Sequence, residues 1–334
     1  MKRHLSLLLA CCTVAVLALA LLVGTHRATA LAPVSVSLAM PIQLSLGAVP
    51  VGQARGMFAQ RRVQLETQSF KMGKHALDAV ITGRADMAIV ADTPYALAAL
   101  RGEQVVILAS LYGSRKAMAV LGWRARGIAG PADLAGKTIG TVAGTNAHFF
   151  LEALLVAHGI DRQRVNIVEL KPDVLNDALR SGQVDAVTLW QPDLRRMQRE
   201  LGAAGQSVYG EDIFVYRFLL ATSKRYLDGH HDEAARMVAA LADATDFIHD
   251  EPAAARAIIG RAIGVDAAGL VEAFDAADYH LTLDQSLLLS LSDVSRWAQR
   301  GGLVRESAAP PDFVRLIDQR PLQAARPAAV RIIQ

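Results

Sequence analysis

From residue 34 onward, short runs with β-like patterning alternate with helical ones. Residues 34–38 alternate apolar and polar positions at period two and predict a strand. A helical stretch follows to about Gln60, and Val63, Leu65 and Thr67 mark a second strand. Residues 73–82 predict a helix closed by Gly83, with a strand at 87–90. Thr93-Pro94 opens a further helix through Leu100, and 105–108 is again strand-like. Residues 137–142 predict a strand that runs into Ala143-Gly144-Thr145-Asn146. Behind it Ala147, Phe150, Leu151, Leu154 and Leu155 form one apolar helix face, which Gly159 ends. A strand at 165–170, a helix at 172–180 and a strand at 184–190 continue the pattern. After Gly210 it changes: 214–222 is strand-like, and the remainder is predicted helical at 232–249, 252–263, 267–277 and 284–300. From Pro310 the chain reads as irregular, apart from a turn or two at 312–318. Strand and helix alternating over short loops predict α/β layers, each a mostly parallel sheet flanked by helices. One phrase recurs. Gly83-Arg84-Ala85-Asp86, an apolar strand and Pro94 are echoed by Gly182-Gln183-Val184-Asp185, an apolar strand and Pro192. This is the mark either of two similar lobes or of two α/β units with the same grammar.

The start of the chain is different in kind. Lys2 and Arg3 precede an uncharged run over residues 5–23, followed by Gly24 and Ala28-Thr29-Ala30. A basic start, an apolar middle and a small-x-small end make a secretory signal peptide. The run is nearly as long as the ~20 residues of a membrane helix, so a retained N-terminal anchor is the alternative. Either places the body of the protein outside the cytoplasm, in the periplasm or on the outer face of the membrane. The chain has 334 residues, 52% of them hydrophobic and 20% charged, which excludes a disordered chain and suits two lobes. The formal charge of +3 belongs to residues 1–30, which hold Lys2, Arg3 and Arg27 and no acid. Without them basic and acidic residues balance, so charge gives no reason to expect nucleic acid. Both cysteines, Cys11 and Cys12, also lie there. The rest can form no disulfide, cysteine nucleophile or thiolate metal site.

Candidate chemistry concentrates where strands run into helices. Gly144-Thr145-Asn146 lies at such a junction. A helix N-terminus carries unpaired N–H groups and partial positive charge, and so binds anions without a cationic side chain. Gly144 would let the backbone approach a ligand, and Thr145 and Asn146 would add donors; Thr and Asn also serve as plain caps there. Asp92-Thr93-Pro94 has the same grammar in the first unit. Two such termini facing across a cleft would clamp an anion. Trp190 ends a strand and could wall a ligand or fill the core. Gln43 follows the first strand, where ligands of open α/β sheets usually lie. Tyr216 and Arg217 sit in the run that returns to the first unit, Arg217 more as a structural ion-pair partner than as an anion ligand. The chain has no phosphate loop, no GxGxxG after the first strand and no GxSxG elbow. His230-His231 lacks a second ligand pair, and His148 lacks a nucleophile to serve. Catalytic residues, cofactor and metal are therefore not expected.

Four phrases resemble one family: RGMFAQRRVQLE (55–66), GKHALDAVITGRADMAIVADTPYAL (73–97), DLAGKTIGTVAGTNAHFFLEALLVAHGI (133–160) and LRSGQVDAVTLWQPDL (179–194). They are similar, in the same order, to the substrate-binding proteins of ABC importers for nitrate, sulfonates and taurine, which include pyrimidine-precursor binders. The resemblance implies a two-lobe periplasmic-binding-protein fold of type II kind, with extra C-terminal helices and hinge closure on a small anionic or zwitterionic ligand. Lobe I would take 33–115 and 213–322, lobe II 116–212, and 323–334 would be an irregular tail. It implies ligand contacts at Gln43, Thr93, Thr145, Asn146 and Trp190; the residue reading adds Asp92, Gly144 and Tyr216. Partners would be an ABC permease and ATPase, with the chain a monomer. Met40-Pro41-Ile42-Gln43 departs from the family's glycine- or tyrosine-bearing phrase. Alternatives on the same fold are a thiamine-pyrimidine precursor binder and a pyrimidine-synthase-like enzyme, the latter disfavoured by a cysteine-free body. An anchored sensor domain is a third.

Overall fold

A computed structural model describes residues 32–43, 46–305 and 309–333. The leader and the choice between signal peptide and anchor lie outside the described residues, and among those residues no helix is long and apolar enough to cross a membrane. In chain order the strands are β1 (Val34–Pro41), β2 (Val63–Phe70), β3 (Met87–Ala91), β4 (Val105–Ser114), β5 (Met118–Trp123), β6 (Thr138–Thr141), β7 (Asn166–Glu169), β8 (Ala186–Trp190), β9 (Gly205–Val208), β10 (Tyr216–Ser223), β11 (Asp278–Asp284) and β12 (Val330–Arg331). They form a seven-stranded sheet, β12-β11-β4-β10-β3-β1-β2, and a five-stranded sheet, β7-β6-β8-β5-β9. Both fall within one compact unit, Ser35–Gln334. The chain passes from the larger sheet to the smaller after Ser114 and returns at Tyr216.

The expectation of mostly parallel sheets is corrected: both are mixed. β3 lies parallel to β1, and β6 lies parallel to β7 and β8. However, β10 is antiparallel to β3 and β4, and β5 is antiparallel to β8 and β9. The cause is the double crossing. β4 leaves the larger sheet and β10 re-enters it alongside, so the two must run in opposite senses.

The predicted strand–helix alternation is present up to β4. Its central strands β3 and β4 are buried at every position, as strands covered on both faces must be. Two strands of the smaller sheet, β5 and β9, and the helix Asp193–Leu201 are additions to the sequence reading. The helical reading after residue 222 is corrected by β11, whose alternation buries Tyr279, Leu281 and Leu283 on one face. The expected irregular tail is also corrected. A helix Arg320–Ala325 buries Pro321 and Leu322, and β12 extends the larger sheet parallel to β11.

The recurring phrase has one job in both sheets. Gly83 and Gly182 end their helices at φ +75° and +85°, a left-handed conformation that glycine adopts without a Cβ penalty. Three residues on, Asp86 Oδ2 accepts from the Ser37 N–H on β1 at 2.8 Å, and Asp185 Oδ2 accepts from the Thr138 N–H on β6 at 2.8 Å. Each aspartate pins its own strand to the parallel neighbour. The two halves repeat a structural device, and neither aspartate is a ligand group.

Candidate functional site

Three helices begin where the two sheets approach each other: Gly73–Ile81 after β2, Asp92–Leu100 after β3, and Asn146–Ala157 after β6. The latter two face one another, as the anion-clamp reading requires. What lies between them is the chain's own carboxylate. Asp92 is fully buried, and its Oδ1 accepts from Asn146 Nδ2 at 2.6 Å and from the Thr93 N–H at 2.8 Å. Its Oδ2 accepts from Ser290 Oγ at 2.9 Å, on the helix Gln285–Arg300. A buried carboxyl is tolerable only with such partners. Burial pushes it above the usual carboxylate range, against the pull of Arg217 and the hydrogen bonds from Ser290, Asn146 and Thr93. Thr93 beside it is fully buried, and its hydroxyl has no hydrogen-bond partner among the described residues.

A cavity of about 40 Å³ lies between the sheets, lined by Gln43, Thr145, Asn146, Trp190 and Tyr216. Five of the eight predicted site residues are therefore together. Asp92 and Thr93 are buried behind it, and Gly144 lines an adjoining cavity of about 260 Å³. Five further residues line the smaller cavity: Met72, Gly73, Lys74, Ala91 and Phe218. The sequence carried a signal for two of them, because Gly73-Lys74 opens a helix after a strand just as Thr145-Asn146 does. A Cβ on Gly73 would stand 3.3 Å from Val90 Cα, so glycine is what lets this helix start against β3. Lys74 lines both cavities, and its side chain makes no hydrogen bond or ion pair with a described residue.

Neither open helix start is closed by a side-chain cap. The Thr145 hydroxyl donates back to the Val142 carbonyl at 2.7 Å, and Asn146 is turned to Asp92. At Gly73 the preceding residue is Met72, which has no capping oxygen. The plain-cap reading of Thr145 and Asn146 thus does not describe this junction, whose first N–H groups stay available to a ligand.

Strand pleating sorts Tyr216 from Arg217. Tyr216 and Phe218 face the small cavity, while Arg217 points to the opposite face, where Nη2 donates to Ser286 Oγ at 3.0 Å. The Tyr216 hydroxyl donates to Gln43 Oε1 at 3.4 Å. Burial pushes that phenol well above its ordinary value, so it stays a neutral donor. Trp190 packs at the edge of the smaller sheet's core, together with Met72 from the other side. Further ties cross between the sides. Trp297 Nε1 donates to Glu152 Oε2 at 2.9 Å, and Arg195 pairs with Glu272.

Other polar groups fall elsewhere. His148 sits 3.3 Å from Glu152 and edge-on to Trp297, away from the cavity. His230 stacks on Tyr226, and among the described residues no cluster of three His, Cys, Asp or Glu could hold a metal. A concavity of about 1030 Å³ opens over β4, β10 and β11 on the Arg217 face. There His280 lies 3.0 Å from Ser110 Oγ and 3.0 Å from Asp278 Oδ2. Asp278 is 73% exposed, Ser110 lies on a mid-sheet strand, and the concavity draws no residue from the smaller sheet's strands. It is a polar sheet surface, where approach of the two sheets encloses nothing.

A Brucella abortus protein described as a binding protein is 24% identical over 226 residues, 66% of this chain and 68% of that one. The taurine-binding periplasmic protein of Escherichia coli is 27% identical over 169 residues, 50% of this chain and 52% of that one. In fold, the alkanesulfonate-binding protein SsuA from Xanthomonas axonopodis pv. citri superposes with a TM-score of 0.74 at 18% identity, covering 87% of this chain and 100% of that one. The desulfurization enzyme DSZB shares the fold at a TM-score of 0.63 and 16% identity, covering 86% of this chain and 98% of that one, so fold alone does not divide binding from catalysis. A family model described as NMT1/THI5 like matches residues 46–255, well over half the chain, and the chain belongs to that family.

Proposed function

We propose that this chain is the extracytoplasmic solute-binding component of an ABC importer, which captures a small organosulfonate or related oxyanion and presents it to a permease and its ATPase. One observation carries the reading. A cavity between two sheets is lined from both sides by uncapped helix starts, and by a lysine whose ammonium pairs with no described residue. Oxyanions are bound by such convergent donors. Residues 33–115 with 213–322 would act as one lobe and 116–212 as the other, turning about the two crossings near Ser114 and Tyr216. At about 40 Å³ the cavity is too small for a whole ligand to enter unaided, so the lobes must part and close on it. Binding without chemistry is part of the same reading: the Thr145 hydroxyl, the candidate nucleophile at this junction, is spent on the Val142 carbonyl.

The test is a thermal-shift and calorimetry panel on the purified protein with alkanesulfonates, taurine, nitrate, bicarbonate and an aminopyrimidine. A true ligand at 100 times its Kd adds about 2.7 kcal/mol of stability. A shift with the aminopyrimidine alone would overturn the oxyanion reading in favour of a pyrimidine binder.

A further inference from the structure

We propose that the cleft selects organosulfonates of net negative charge over zwitterionic aminosulfonates, with Lys74 as the selecting charge. The inference rests on the reading of this cavity as the ligand site and specifies what fits it. A buried water needs about 10–15 Å³, so the inner cavity of about 40 Å³ holds three or four heavy atoms, the size of one sulfonate headgroup. The rest of the ligand has to lie elsewhere. The adjoining cavity of about 260 Å³ is continuous in its lining through Lys74 and has room for a short tail. That chamber carries Lys74, His75 and Arg101 against a single acid, Asp78, which Arg101 offsets.

Lys74 therefore stands at the passage between headgroup and tail. It makes no ion pair with a described residue, so a ligand anion loses nothing by taking it. An ammonium on the tail would meet a like charge here, and the one carboxylate of that chamber, Asp78, is outnumbered by Lys74 and Arg101. Asp92 is the one acid buried near the inner cavity, but it lines neither chamber. Both its oxygens already accept, from Asn146, Thr93 and Ser290. Like charges at close range in a partly enclosed site cost more than tenfold in affinity.

A matched pair tests this on the purified full chain. 1-Propanesulfonate and taurine have the same number of heavy atoms and differ in the terminal group, methyl against ammonium. By isothermal titration, propanesulfonate should bind at least about tenfold more tightly than taurine. Lys74→Gln should weaken propanesulfonate binding at least about tenfold and narrow the gap to taurine, whereas Lys74→Arg should stay within a few-fold of wild type. Circular dichroism melts of both variants check that they fold. Taurine binding as tightly as propanesulfonate, or Lys74→Gln leaving propanesulfonate unchanged, overturns the inference while the sulfonate reading stands. Failure of the wild type to bind any sulfonate overturns both.

Discussion

The two facing strand-to-helix junctions begin alike and end up doing opposite things. After β3 the helix starts with an acid, and Asp92 gathers the Thr93 N–H, the Asn146 amide and the Ser290 hydroxyl into one buried knot. After β6 the helix starts with Thr145-Asn146, and no side chain closes its first turn. One junction brings its own anion; the other leaves its donors for a guest. A helix N-terminus is thus a binding site only when nothing in the chain already answers it. The pair also explains how the sides are joined, since Asn146, across the cleft from Asp92, is itself part of the knot.

Removing the carboxylate is the harshest way to break this contrast. Asp92→Ala leaves Asn146, Ser290 and the Thr93 N–H without their acceptor and should cost about 3 kcal/mol, read from the midpoint of chemical denaturation. A loss below about 1 kcal/mol would mean that the knot is incidental and the two junctions differ little.

Asp92→Asn keeps the shape and removes the charge, so the informative quantity is how its stability relative to wild type changes with pH. Burial holds the folded carboxyl above its ordinary value, despite the opposing pull of Arg217 and the three donors. Stability from a group raised in this way is present below the unfolded value of about 4 and lost as pH rises through the folded one. Wild type should therefore lose ground to Asp92→Asn as the pH climbs from about 4. Glu152, Asp278, Asp284 and Asp318, whose folded values are lowered, act in the opposite sense but equally in both proteins and cancel. A constant difference between about pH 3 and pH 8 would show that the donors hold Asp92 at its ordinary value.

How much of this could be read from the chain depended on sequence distance. The alternation of strand and helix, the glycines at 83 and 182, and the helix starts at Gly73, Asp92 and Asn146 are local, and periodicity and turn chemistry made them legible. β11 did carry the strand signal, with Tyr279, Leu281 and Leu283 alternating with Asp278, His280, Thr282 and Asp284, but its seven residues lie between two longer helical patterns that masked it. β9 was lost because Gly-Gln-Ser-Val is a short edge with one buried residue. The knot at Asp92 could not be seen, since Asn146 and Ser290 lie 54 and 198 positions away. Lys74 was passed over for another reason. A lysine in the first turn of a helix ordinarily points to solvent, and only the approach of the second sheet makes it part of a cavity.

The gentlest probe acts on the residue next to the knot. Thr93 is as buried as Asp92, yet its hydroxyl has no partner among the described residues, and such a group costs stability in the unliganded protein. Thr93→Val replaces the hydroxyl by a methyl of similar size. It should leave the melting midpoint unchanged or raise stability by up to about 1 kcal/mol, because a desolvated, unpaired group is removed. If the hydroxyl is left open for the closed, liganded state, the same variant should bind sulfonate more weakly while melting no earlier. An equal loss of both would make Thr93 an ordinary packing residue and leave the uncapped start at Thr145 as the side of the cleft that meets the ligand. Stability and affinity moving in opposite directions would extend the open donors to the Asp92 side, one residue from a carboxylate that has none to spare.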